Sequence, residues 1–280
     1  MQIKIPSKYN YIAAFLTMKC NLHCSYCINN YSKLCKTKSL TGKQWVDVIN
    51  KIQSRNDLPV TLQGGEPTQH PDFYYIVNNI KPELNIDLIT NMQFDIYEFM
   101  KNIKPDRIKR NAPYASIRIS YHPEQMDIID TINKATILSK NNYSVGIWVL
   151  NHPKWEIHNA TIKKLCSASG IDCREKDFLG YTDNKLYGTY KYPDAISGKI
   201  KNVQCKTTEL LISENGSVYK CHSDLYQQIN SIGSALDNNF LSEYKFRDCS
   251  KFGLCNPCDI KLKFDRFQKE GHCSVQIKEI

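Results

Sequence analysis

CNLHCSYC, residues 20–27, and GGEP, residues 64–67, each follow a short stretch that reads as a strand, YIAAFL at 11–16 and VTLQ at 60–63. Runs of that length bounded by polar or turn residues read as buried strands. Both motifs therefore sit where a strand ends. In parallel α/β folds that edge is where ligands bind. Three thiols so close cannot pair off among themselves. As thiolates they leave a four-coordinate metal, or the fourth iron of a cluster, with one open position.

The chain between and beyond the two motifs keeps alternating. LTGKQWVDVINKIQSR places Trp45, Val48, Ile49 and Ile52 on one helical face, with capping-box spacing between Thr41 and Gln44. Helices are expected over 73–80, 96–103, 124–140 and 155–168, and strands over 86–90, 116–120 and 145–150. Strand–helix alternation implies right-handed βαβ units and a parallel sheet. Five or six units fit in the first 190 residues, too few for an eight-fold barrel. The expected fold class is α/β, a partial (β/α)6 barrel over 1–190, followed by a small cysteine-rich unit over 191–280. Residues 181–193 read as a linker rich in Tyr, Gly, Asp and Asn. ELLISENGSVYKC reads as a β-hairpin turning on Asn215-Gly216 in a type I′ turn.

Twelve cysteines in 280 residues call for an explanation. No long apolar segment with a small-residue cleavage site opens the chain, and no run of about 18 apolar residues occurs. These features place the protein in the cytoplasm, where clustered cysteines signal metal or redox chemistry. Nine of them group, as Cys20, Cys24 and Cys27, then Cys205 and Cys221, then Cys249, Cys255, Cys258 and Cys273. Cys35, Cys166 and Cys173 are scattered and read as ordinary thiols. The formal charge of +9 raises nucleic acid as a partner. Basic residues gather over 101–110 and 261–266, but no aromatic-interleaved basic motif supports nucleic acid, and thiolates on iron would lower the balance. From the residues alone, zinc on the first three cysteines with His23 as fourth ligand stays open.

CNLHCSYC followed by GGEP, with Tyr26 just before the third cysteine, resembles the radical S-adenosylmethionine (SAM) superfamily. The resemblance implies a [4Fe–4S] cluster on Cys20, Cys24 and Cys27, with SAM on the fourth iron. It implies SAM contacts from Tyr26, Gly64, Gly65, Glu66, Pro67, Thr90, Asn91 and Ser120. Thr90 and Asn91 read equally as a plain strand-end turn, and His122, before Pro123, as a turn residue. Cys205-x15-Cys221, with four residues between Gly216 and the second cysteine, resembles the start of a SPASM or twitch extension. That implies an auxiliary [4Fe–4S] cluster on Cys205, Cys221, Cys255 and Cys258. Cys273 is an alternative ligand by its spacing from Cys258, and Cys249 is left over. The family's activity implies reductive SAM cleavage and hydrogen abstraction from a substrate C–H bond. The expected partners are a peptide or small-molecule substrate and an external one-electron reductant such as flavodoxin or ferredoxin. A ribosomal peptide is the favoured substrate, although the early start of the barrel leaves no room for a leader-binding winged helix. A sugar or aminocyclitol is the alternative; an RNA-modifying enzyme and a non-catalytic metal protein are remoter.

Overall fold

The computed structural model describes residues 2–27, 38–265 and 268–280, and for 264–271 the backbone at most. Cys35 and Arg266 lie outside the described residues. The first apolar run forms β1 (Tyr11–Thr17), buried along nearly its whole length. β2 (Val60–Gly64), β3 (Ile86–Thr90), β4 (Ile117–Tyr121), β5 (Val145–Asn151) and β6 (Asp172–Asp177) follow. All pair in parallel with their sequence neighbours. Such an unbroken order, with same-handed crossovers, puts every connecting helix on one face.

The core shows this directly. Alternate strand residues, among them Ile12, Leu16, Leu62, Leu88, Ile119 and Ile147, join one buried cluster with residues of the five longer connecting helices. These are α1 (Gly42–Asn50), α2 (Phe73–Asn79), α3 (Ile96–Asn102), α4 (Ile128–Lys140) and α5 (Glu156–Ala168). Cys166 belongs to this cluster, and Cys173 packs against it. α1 opens with the expected capping box between Thr41 and Gln44. Its Trp45 is fully buried, with the indole N–H donating to the Leu16 carbonyl at 3.3 Å. α4 begins four residues later than the pattern suggested, because the Asp127 carboxylate caps it by accepting from the Asp130 N–H at 2.7 Å.

The chain beyond 190 serves two sheets. β7 (Lys201–Thr207) is the middle of a three-stranded antiparallel sheet, between β11 (Arg247–Phe252) and β12 (Val275–Glu279). β8 (Glu209–Ile212), β9 (Ser217–Tyr219) and β10 (Gly233–Ser234) instead extend the main sheet, with β8 parallel to β1. The short α6 (His222–Gln227) and α7 (Pro257–Ile260) complete this half.

Two turns differ from expectation. Only Gly216 has a left-handed backbone in the β8–β9 turn, at φ +83°, and its N–H donates to the Ser213 carbonyl. This is a turn followed by a glycine bulge, not the I′ turn read from Asn215-Gly216. The I′ geometry occurs in the stretch read as a linker. There strands Gly180–Thr182 and Lys185–Tyr187 pair around Asp183 and Asn184, both with positive φ. Short polar side chains tolerate that conformation.

Candidate functional site

The cysteine loop leaves β1 at Thr17, and GGEP leaves β2 beside it. The Gly65 N–H donates to the Thr17 carbonyl at 2.9 Å, and the Glu66 N–H to the Lys19 carbonyl at 2.8 Å. A Cβ on Gly64 would stand 2.1 Å from the Thr17 carbonyl oxygen, and one on Gly65 2.2 Å from that of Lys19. The close approach these glycines permit is thus to the backbone that carries Cys20. Gly65→Ala should therefore displace the loop, lowering both thermal stability and iron retained after reconstitution. Wild-type iron content in that variant would contradict the packing argument.

Glu66 is almost wholly buried. One carboxylate oxygen accepts from the Thr68 and Thr90 hydroxyls, each at 2.7 Å, and the other from the Asn91 N–H at 2.7 Å. Burial pushes its pKa up, and those hydrogen bonds oppose the rise. Asn91 reaches on to the cysteine loop, its amide donating to Asn21 Oδ1 at 2.7 Å. Glu66, Thr90 and Asn91 therefore tie three strand ends together, and all three line the cavity described below. Pro67 starts a short 3-10 turn behind them, buried.

Cys20, Cys24 and Cys27 are half-buried. Burial pushes the Cys20 thiol up, and that of Cys24 to about 11. Ligation would draw those protons off. The loop is pinned to the β4 side: the Ser25 hydroxyl and N–H donate to Glu124 at 2.7 and 3.0 Å. Tyr26 O–H lies 2.9 Å from His122 Nδ1, and its ring meets Trp155 edge-on at 4.7 Å. Burial, then the Lys176 charge, lowers the His122 pKa to about 4. His122 thus orients Tyr26 as well as turning the chain. Ser120 projects from β4 and accepts from Lys176 at 3.4 Å.

One cavity of about 470 Å³ joins these residues to the C-terminal half. Cys20, Cys24, Tyr26, Cys27, Gly64, Gly65, Glu66, Thr90, Asn91 and Ser120 line it; Pro67 and His23 are not among its lining residues. Its far wall holds Glu209, His222, Cys258 and Lys263. Sequence reading missed three of those four. Glu209 accepts from Lys263 and, at 2.6 Å, from the Ser274 hydroxyl. His222 Nδ1 stands 2.8 Å from Asp259 Oδ1 and 3.6 Å from Glu209 Oε2. The partners come from β8, α6, α7 and the strand at Lys263–Asp265, so no local spacing announced them.

The second cysteine group surrounds a small separate core. Cys205 on β7, Cys249 on β11 and Cys255 pack against Val203, Phe252 and Ile260. The Cys205 and Cys249 thiols hydrogen-bond one another. Cys221 caps α6, its sulfur accepting from the Asp224 N–H at 3.4 Å. Cys258 opens on the main cavity, and the Cys273 thiol donates to the Asp259 carbonyl. Burial raises the thiols of Cys221, Cys258 and Cys273, and that of Cys255 to about 12. Among the described residues, the group of metal-capable side chains with all donors within 4.8 Å of one another is Glu209, His222 and Asp259. Tetrahedral zinc, with Zn–S of about 2.3 Å, needs sulfurs about 3.8 Å apart. In every described cysteine triplet some pair is wider than that.

Comparison with known proteins agrees with this geometry. Residues 15–149 match the Radical SAM superfamily. The PqqA peptide cyclase of Streptomyces rochei is 32% identical over 66 residues, 24% of this chain and 18% of that protein. The GTP 3',8-cyclase of Clostridium perfringens is 25% identical over 167 residues, 58% of this chain and 50% of that one. The chain thus spans half or less of the length of these curated relatives. The solved structure of anSMEcpe with bound AdoMet superposes with a TM-score of 0.55 at 13% identity, over 85% of this chain and 78% of that one, a likeness of fold. No helix among the described residues is long and apolar enough to cross a membrane. Strand order, the cysteine loop closed on GGEP and the family match together establish that the chain carries a radical SAM superfamily domain over residues 15–149.

Proposed function

We propose that the protein modifies a ribosomal peptide, by crosslinking, epimerisation or oxidation, at an unactivated C–H bond. The observation that carries this is the continuous cavity from Cys20, Cys24 and Cys27 to Cys258. The first three would hold a [4Fe–4S] cluster; with SAM it supplies, when bound, a one-electron cleavage that yields a hydrogen-abstracting carbon radical. The protein's own part is positional. Gly64 and Gly65 let GGEP close on the cysteine loop, Glu66 and Asn91 fix the strand ends, and Tyr26 and Ser120 face the shared space. The cavity walls hold the substrate near that edge and keep water away. In this reading residues 191–280 form a twitch-type unit whose auxiliary cluster sits on Cys205, Cys221, Cys255 and Cys258 and takes an electron from the substrate. The peptide substrate is supported by the PqqA peptide cyclase relative. A second reading, a sugar or aminocyclitol dehydrogenase, is favoured by the cavity's volume, which is that of a small-molecule site.

Anaerobic reconstitution with iron and sulfide, followed by iron counting and a SAM-cleavage assay under dithionite, tests the reading. About eight irons per chain with 5′-deoxyadenosine formed is the expected result. About four with cleavage would remove the auxiliary cluster, and no cleavage would remove the enzyme. The Cys255→Ala, Cys258→Ala double variant should hold about four irons and still form some 5′-deoxyadenosine, without completing substrate turnover. Full turnover by that variant would rule out the electron-transfer role.

A further inference from the structure

The cysteine loop is held at its root on two sides. β1 lies between β2 and β8 in the main sheet. On the β2 side GGEP closes on the carbonyls of Thr17 and Lys19. On the other side the ladder between β8 and β1 ends at Ile212 and Ala14. β1 runs on to Thr17, and the buried Met18 follows it, two residues before Cys20. The Met18 N–H lies beyond the end of that ladder, and a buried amide left unpaired is costly. Glu214, in the β8–β9 turn, supplies the partner. Its side chain is fully buried, and Oε2 accepts from the Met18 N–H at 2.8 Å. The same oxygen accepts from the Ser39 hydroxyl at 3.0 Å, and the Glu214 carbonyl accepts from the Leu40 N–H at 2.8 Å. Ser39 and Leu40 lead into α1. One residue of the C-terminal half therefore ties the segment entering the cysteine loop to the segment entering α1. Packing holds the turn in place. A Cβ on Gly216 would stand 3.3 Å from the Leu40 side chain, and Met18 joins Leu211 and Tyr219 of the same hairpin in one buried cluster.

We propose that Glu214 is a positioning residue for the first three cysteines. Its side-chain oxygen fixes the root of their loop from the C-terminal half, and so sets how tightly the site takes SAM. The inference rests on the radical SAM reading of that loop. It also makes one hairpin serve both halves, because β9 leads from this turn to Cys221. Both bonds go to one acceptor oxygen. A glutamine carbonyl can make them in its place. A methionine of similar length cannot, although it fills the space.

The test compares wild type, Glu214→Met, Glu214→Gln and Ser39→Ala, each as the full chain anaerobically reconstituted with iron and sulfide. SAM is titrated by calorimetry, and amide hydrogen exchange is followed by mass spectrometry on the same samples. Glu214→Met should weaken SAM binding by about tenfold and speed exchange at Met18, while the amides of β2 to β5 keep wild-type protection. Glu214→Gln should restore both. Ser39→Ala, which leaves the Met18 bond, should weaken SAM by about threefold. Wild-type SAM affinity in Glu214→Met would overturn the proposal, as would a glutamine variant as impaired as the methionine one. Faster exchange across the whole sheet with unchanged SAM affinity would mark a merely structural role and overturn it too. Should Glu214→Met fail to fold, Ser39→Ala reads the second bond to the same oxygen, and wild-type SAM affinity there overturns the proposal. Failure of the wild type to bind SAM would sink the radical reading, while Met18 exchange in the two Glu214 variants would still show whether the clamp exists.

Discussion

Cys24→Ala should reduce 5′-deoxyadenosine formation to background while leaving the fold in place. Cys24 is half-buried in a loop held by other contacts: Glu66 N–H to the Lys19 carbonyl, Ser25 to Glu124, and Asn91 to Asn21. It is absent from the apolar clusters that stabilise the sheet. Losing one partly exposed sulfur should therefore cost no more than about 1 kcal/mol of stability. Its effect on chemistry is of another order, because two thiolates cannot hold a cluster that three hold with one position open. The measurement pairs product analysis under dithionite with circular dichroism and thermal unfolding of the same sample. Cleavage at the wild-type rate in Cys24→Ala would show that the first three cysteines do not hold the reactive metal. A collapse of the fold would show that the loop contacts named above are weaker than their geometry indicates.

The sheet winding was legible because each unit announces itself locally. VTLQ reads as a short buried strand ended by glycines, and the Thr41–Gln44 box marks a helix start within a few residues of the sequence. The near wall of the cavity was legible for the same reason: CNLHCSYC and GGEP are contiguous, and Thr90, Asn91 and Ser120 stand at strand ends. The far wall was not. Glu209 meets Lys263 and Ser274, 54 and 65 residues away, and His222 meets Asp259 at a separation of 37. Nothing in ELLISENGSVYKC indicates that its first strand pairs in parallel with Tyr11–Thr17, nearly 200 residues earlier. A hairpin supplies its own two strands, so local reading stops there. What carries it into the main sheet is the buried packing of Leu211 and Tyr219 on Ala13 and Phe15, a tertiary effect. The turn exchange has the same origin. Asn215-Gly216 has I′ chemistry, but the β8–β9 pairing leaves a longer loop, and the bulge takes the glycine alone.

Glu209→Gln should destabilise the protein at neutral pH by about 3 kcal/mol, and the difference should shrink in acid. Burial alone would raise the Glu209 pKa. The Lys263 ammonium, then His222, reverse this and hold it at about 2, against an ordinary 4.5. A carboxylate whose folded pKa lies below its unfolded value contributes fully above the unfolded one. That contribution fades as pH falls from about 4.5 toward about 2. The interval corresponds to about 3 kcal/mol. In the glutamine variant the buried Lys263 loses its counter-charge at all pH values, so the acid-dependent part of the stability disappears with it. Urea unfolding at pH 7, 5 and 3 reads both effects. Metal-free protein suits the experiment, because the apolar core between sheet and helices contains none of the proposed ligand cysteines. Wild type and variant should be far apart at pH 7 and closer at pH 3. Lys263→Met in the Glu209→Gln background should recover much of the loss, since the unpaired charge is then gone. Parallel pH profiles for the two single proteins would mean that Glu209 is not ionised against Lys263. The far wall would then owe its order to Ser274 and the His222–Asp259 pair.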